Sequence, residues 1–311
     1  METIGRRWTK GAAVALAAYG AACRSDGRFA RLALDRLSVP AMAALHRLTA
    51  PIPFPVAEPA ALALAAALAW TLTSALCRAA AKRSPLPLRR WLSGLGAAAL
   101  LLGGGLALLW APARAIPAVT LPSPETGALI QLCQSLIDDL NASPLAFPDP
   151  AQTLARAPEV AGLAGCAVKA ARYPEWMRSC QAAGLFVPLT GEALVDASAP
   201  ASLLPFTAVH ELMHLAGVAD EGAANIAAWR RCVAADEPFA NSARLWALRY
   251  ALGLLRQRDR ASWRQARTKM EGALERAFLD CGGELPPARQ APGLRVGDYA
   301  ALVSCLAERG G

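Results

Sequence analysis

Pro205-Phe206-Thr207-Ala208-Val209-His210-Glu211-Leu212-Met213-His214-Leu215-Ala216-Gly217-Val218-Ala219-Asp220-Glu221-Gly222-Ala223-Ala224-Asn225 is the stretch around which the chain is organised. His210 and His214 stand four apart, so a helix projects both imidazoles from one face, one turn apart. That spacing lets two neutral ring nitrogens meet one Zn²⁺ at about 2.0–2.1 Å. Glu211, beside the first His, stands where a zinc hydrolase keeps the base that takes a proton from water. The plain alternative is an amphipathic helix that happens to spell HELMH. Only three His occur in 311 residues, His46 being the third. At that frequency an accidental His-Glu-x-x-His arises in roughly one chain in a thousand.

No His follows His214, so a third ligand must be a carboxylate or a thiolate. Gly217 suits a left-handed cap ending the first helix, and a second helix can start near Asp220. Asp220 completes HExxHxxGxxD, the short spacing of some metzincins. Glu221 completes HExxH…ExxxN, close to the gluzincin arrangement, and is the preferred ligand. Asn225, one turn on, would then orient a ligand from outside the first shell. The ordinary role for Asp220 is a helix N-cap.

The rest of the chain does not read as one soluble globule, for 55% of it is hydrophobic. Residues 59–77 and 91–110 are uncharged and apolar, and Trp91 and Trp110 bracket the second run. Each is about the length that crosses a bilayer core of roughly 30 Å. Between them stand Arg78, Lys82, Arg83, Arg89 and Arg90 with no acid. The positive-inside rule places this loop in the cytoplasm, so everything after about residue 112 falls outside. Arg6, Arg7 and Lys10 precede an Ala-rich run at 11–23, read as a first short span, although a signal-peptide core has the same form. Residues 24–56 mix Arg with Leu and Phe and suit the membrane surface.

These readings divide the chain into a membrane region, 1–112, and an extracytoplasmic domain, 113–311. The net charge of +8 does not point to nucleic acid. Residues 1–90 hold 13 Lys and Arg against 4 Asp and Glu, which leaves 19 against 20 of the chain totals of 32 and 24. The basic excess belongs to membrane orientation, and a nucleic-acid partner is excluded on that distribution.

The outer domain reads as mainly α. Ser123-Pro124-Glu125 is a helix start, and helical patterns follow at 152–172, 174–183, 206–216, 220–233, 238–257, 260–280 and 297–308. Residues 186–190 and 193–195 read as extended, a small β element before the metal helix. Such a strand could hold extended peptide by its main chain. Residues 117–124 form a linker and 286–292 a loop. Six of the eight Cys (Cys133, Cys166, Cys180, Cys232, Cys281 and Cys305) lie in this domain. An even number outside the cytoplasm predicts at least one disulfide, and buried thiols are the alternative.

Together these residues resemble a bacterial family of integral-membrane HExxH proteins catalogued as a domain of unknown function, with a gluzincin-like motif. The likeness rests on Pro53-Phe54-Pro55-Val56-Ala57-Glu58, Asn141, Gly191-Glu192-Ala193, Pro205-Phe206-Thr207, Glu221 with Asn225, and Asp298-Tyr299. The family tends to read Glu-x-Glu-Ala-Asn, and here Ala223 replaces the second Glu. The resemblance implies a multi-pass protein of the cytoplasmic membrane with zinc-dependent peptidase-like activity.

The expectation is one Zn²⁺ on His210, His214 and Glu221, with Glu211 as the general base of amide hydrolysis on an unidentified peptide or protein. Tyr250 or Tyr299 could assist the oxyanion, packing being the plainer role of each. Two other readings stand beside this one. The first is a membrane-anchored binding or scaffold protein with a non-catalytic zinc. The second is a zinc hydrolase of lipid or cell-wall amides.

Overall fold

The computed structural model describes residues 2–118, 121–180, 182–282 and 297–308. The chain divides into two compact units, Met1–Ile116 with Val187–Gly191, and Pro117–Phe186 with Glu192–Gly311. The first break therefore falls at 116–117, where the sequence reading placed it at 112–113.

In the first unit the helices are α1 (Glu2–Ser25), α2 (Gly27–Ala33), a π-helical turn (Leu34–Ser38), α3 (Val39–Thr49), α4 (Ala57–Ala81) and α5 (Leu86–Ala115). The others gather on α5. Gly104 lets α1 approach, since a β-carbon there would lie 2.6 Å from Leu16 Cδ1. Pro112 lies inside α5; it has no N–H to give the carbonyl of Leu108, four residues back. The hydroxyls of Ser38 and Tyr19 donate to that oxygen instead, at 3.0 and 3.3 Å. Residues 187–191 close the unit. His46 Nδ1–H donates to Gly191 O at 2.8 Å, and Thr49 Oγ1 donates to Thr190 O at 3.1 Å. Gly191 has φ +66°, and a β-carbon there would meet His46 N and Met42 O at 2.6 Å. No other residue suits that place.

Among the described residues, α4 and α5 are the two helices long and apolar enough to cross a membrane. At 1.5 Å per residue they extend about 37 and 45 Å, beyond a bilayer core of roughly 30 Å. Only 6% of the apolar stretch of each is buried, and Leu62, Trp70 and Leu101 stand well exposed. A core helix of a water-soluble protein would hide such residues. The run 11–23 lies within α1, which is not one of the two.

The second unit contains α6 (Thr126–Ala142), α7 (Pro150–Val160), β1 (Val168–Ala170), α8 (Pro174–Ser179), β2 (Gly184–Val187) and β3 (Glu192–Val195). These are followed by α9 (Leu204–Leu215), α10 (Glu221–Val233), α11 (Glu237–Arg258), α12 (Arg260–Thr268), α13 (Gly272–Asp280) and α14 (Gly297–Glu308). The architecture is mainly α with one small sheet, as expected. The strand order is β1-β3-β2, with β1 parallel to β3 and Val168 opposite Ala193. Every residue of α9 is buried, because β3, α7, α10 and α11 all pack on it. The HELMH helix is thus the axis of the unit.

Three expectations need correction. The helix at 152–172 ends at Val160: Gly162 and Gly165 take φ +73° and +84°, and the chain then enters β1. The pattern at 174–183 stops at Ser179. The pattern at 260–280 is two helices, because Asn141 binds the break between them. Its Nδ2 donates to Lys269 O at 2.8 Å, and Glu271 N–H donates to its Oδ1 at 3.0 Å. The expected loop at 286–292 lies outside the described residues.

The disulfide expectation also fails, since all eight cysteines are free thiols. Cys133, Cys232 and Cys281 are buried and fill space as small core residues, Cys281 with its sulfur 3.1 Å from Ser202 Oγ. Burial pushes the Cys133 thiol up to about 12 and the Cys281 thiol up to about 11.

Candidate metal centre

Helix α9 ends in a Schellman turn. Val218 N–H donates to Met213 O at 3.1 Å and Gly217 N–H to His214 O at 2.9 Å, with Gly217 at φ +93°. The reversal brings the Val218 carbonyl back to His214 Nδ1, 2.6 Å away. A carbonyl oxygen only accepts, so Nδ1 carries the proton and the ring is turned with Nε2 inward. Gly217→Ala should therefore cost about 1 kcal/mol, because a left-handed residue acquires a Cβ. It should also loosen the His214 ring. Thermal unfolding and zinc retention measured together check both effects.

Past the turn, Asp220 caps α10, its carboxylate accepting from Ala223 N–H at 2.8 Å. Glu221 is the first residue of α10, and its carboxylate reaches the imidazoles. Glu221 Oε2 lies 3.1 Å from His210 Nε2 and 3.5 Å from His214 Nε2. The two Nε2 atoms are 3.1 Å apart. So the structure brings Glu221, and not Asp220, against the two His. Asn225 is fully buried one turn further along α10. Position 223 is about 200° round that helix from 221. Ala223 thus does not stand on the face that carries Glu221 to the imidazoles.

The donor set fits a small divalent cation. Four ligands about 2.05 Å from a tetrahedral zinc are separated by about 3.3 Å, and the three observed edges bracket that value. The chemistry of the set, two imidazoles and one carboxylate, is that of zinc sites which keep a position open.

Charge in the cluster points the same way. Burial alone would lower the His214 pKa. The hydrogen bond and charge of Glu221, the charge of Glu211 and the Val218 carbonyl together lift it to about 9. Burial would raise Glu221, but the two imidazoles hold it well below the usual carboxylate range. Burial raises the Glu211 pKa, the imidazoles pull it partly back, and Glu221 adds to the rise. A buried acid, Glu211, and a half-buried one, Glu221, thus favour positive charge between the rings, as a proton or as a metal ion.

Glu211 is 5% exposed and lies against β2, an outer strand of the sheet. A β-carbon built on Gly184 would lie 2.7 Å from Glu211 Cγ and 2.8 Å from its Cδ. The carboxylate occupies the room that a side chain at 184 would fill. Gly184→Ala must displace it. A shift of about 1 Å in a catalytic group costs on the order of 10²-fold in rate, so any turnover that uses Glu211 as its base should fall by that order while metal retention by the other three side chains is kept. Metal analysis beside kcat measurement tests the pair of outcomes. Sequence reading missed Gly184, whose one signal was a glycine beside a strand pattern.

Behind the rings, Phe206 stands 6.4 Å from the His210 ring and 5.7 Å from Trp246, which donates to Leu203 O. Tyr250 stacks on Trp246 at 5.5 Å, a packing role. The Tyr299 side chain lies outside the described residues.

The family described as a protein of unknown function (DUF3810) matches residues 39–279. The chain belongs to the DUF3810 family. No curated protein and no solved structure matches it. The stretch shared with DUF3810 runs from α3 to α13, and so takes in both long apolar helices, the sheet, and the α9–α10 pair that carries the cluster.

Proposed function

We propose that this chain is a membrane-anchored zinc-dependent hydrolase, a gluzincin-like metallopeptidase that cleaves amide bonds. The observation that carries the reading is the triangle of His210 Nε2, His214 Nε2 and Glu221 Oε2, with a buried Glu211 on the same helix. Those three atoms would hold one Zn²⁺. When bound, the ion supplies Lewis-acid polarisation and lowers the pKa of water toward about 7.

Each remaining role belongs to a residue of the chain. Glu211 takes a proton from the attacking water on its carboxylate and returns it to the nitrogen of the leaving amine. Its burial favours a carboxyl able to hold that proton between the two events. The Val218 carbonyl keeps the His214 ring from turning. Strand β2, at the edge of the sheet and against Glu211, has main-chain groups suited to an extended peptide.

The five cations of 78–90 support a cytoplasmic loop between α4 and α5, with the cluster-bearing unit on the extracytoplasmic side of the membrane. The test uses the full chain purified in detergent. One zinc per chain and chelator-sensitive cleavage of a mixed peptide library are expected. Zinc absent at micromolar supply, or cleavage indifferent to chelator, would overturn the reading.

A further inference from the structure

The end of α4, the turn after it and the start of α5 carry Arg78, Lys82, Arg83, Arg89 and Arg90, and no Asp or Glu occurs between Glu58 and Glu125. Orientation in a bilayer asks only that such cations be present; solvated side chains in any arrangement would satisfy it. Here they are gathered. The end of α4 and the start of α5 enclose a cavity of about 400 Å³ whose lining includes Arg78, Lys82 and Arg90, the hydroxyls of Ser84 and Thr71, and Trp91. No acid is among the lining residues.

The walls are fixed by bonds within this unit. Trp91 Nε1–H donates to Thr71 Oγ1 at 3.1 Å, tying α5 to α4. Ser84 Oγ accepts from Leu86 N–H at 3.3 Å, which leaves its own proton to donate. Helix α4 closes through Ser84 N–H to Ala79 O and Arg83 N–H to Ala80 O, both 3.1 Å. That closure puts Arg83 at φ 45°, where glycine would be unstrained. A cation is kept in a conformation that disfavours it.

We propose that this cavity binds the phosphate-bearing headgroup of an anionic phospholipid. Three cations, a hydroxyl donor and the positive end of a 30-residue helix all suit a phosphate oxygen. Basic pockets between membrane helices are where such headgroups lodge. A soluble phosphate would meet the same groups, but lipid has a second reason to be there. Leu86, about half exposed, and Pro87 line the same cavity and give it apolar surface on which acyl chains can lie.

The test is native mass spectrometry of the full chain in neutral detergent, titrated with phosphatidylglycerol or phosphatidylcholine of equal chain length. Phosphatidylglycerol should be retained about a hundredfold better, since each of three basic residues near lipid contributes about 1 kcal/mol. The double variant Arg78→Gln/Arg90→Gln should lose roughly thirtyfold of that retention. Arg78→Lys/Arg90→Lys should keep most of it. Arg28→Gln/Arg31→Gln, on α2 and outside the cavity, should cost several-fold less than the cavity pair. Equal retention of the two lipids, or equal loss in the α2 control, would overturn the proposal. So would displacement of lipid by inorganic phosphate at matched concentration, which would assign the cavity to a soluble anion. Zinc content and peptide cleavage are separate readouts, so this site and the hydrolase reading stand or fall independently.

Discussion

Under the proposed reading, Glu211→Gln should leave the zinc content of the purified chain unchanged and lower amide hydrolysis by roughly 10²–10⁴-fold, the usual contribution of a general base. The two halves of that result have separate physical causes. Glutamine has nearly the shape of glutamate, so the space beside Gly184 is filled as before and α9 keeps its packing. The three donor atoms of the cluster come from His210, His214 and Glu221, and none is touched. What disappears is an atom able to accept a proton from water. Undiminished turnover would remove Glu211 from the mechanism. Loss of zinc together with turnover would mean that its charge holds the ion, and would recast it as part of the binding site.

Glu221→Ala and Asp220→Ala, one residue apart, should part company. An outer partner of a ligand is worth 10–100-fold in metal affinity, and Glu221→Ala should exceed that loss, since it removes one corner of the donor triangle. Asp220→Ala should cost only its cap, on the order of 1 kcal/mol of stability, with zinc retained. Competition against a chromogenic chelator reads the first, and thermal unfolding the second. Zinc loss from Asp220→Ala alone would transfer the ligand role to Asp220.

The local grammar of the site was readable from the chain. His210 and His214 share a face because of their spacing. Gly217 takes its left-handed turn, and Asp220 caps where a capping residue stands. Spacing alone preferred Glu221 to Asp220, and the coordinates add that the Glu221 carboxylate stands against both imidazoles while Asp220 caps the helix. Contacts distant in sequence left little trace. Gly184 lies 27 positions before Glu211, and only packing shows that the carboxylate needs its missing side chain. The run 152–172 has helical periodicity to its end, yet two glycines turn the chain after Val160 and pairing with β3 makes Val168–Ala170 a short strand. Asn141 at the end of α6 hides the division of 260–280, since an amide can stand in for the main-chain partners that a continuous helix would supply. The cysteines misled because their even number was read as pairing, whereas core burial accounts for several of them singly.

The Val218 carbonyl has one more consequence. It holds the His214 ring before any ion arrives, so the ordering of that ring is complete at folding. A template set in advance selects by size. Its corners lie 3.1–3.5 Å apart, while calcium seeks six to eight oxygens at 2.3–2.6 Å. Calcium would have to spread the corners apart and accept two nitrogens that it disfavours. Under the proposed zinc reading, a nitrogen-rich cradle with one ring fixed in this way would favour zinc over calcium.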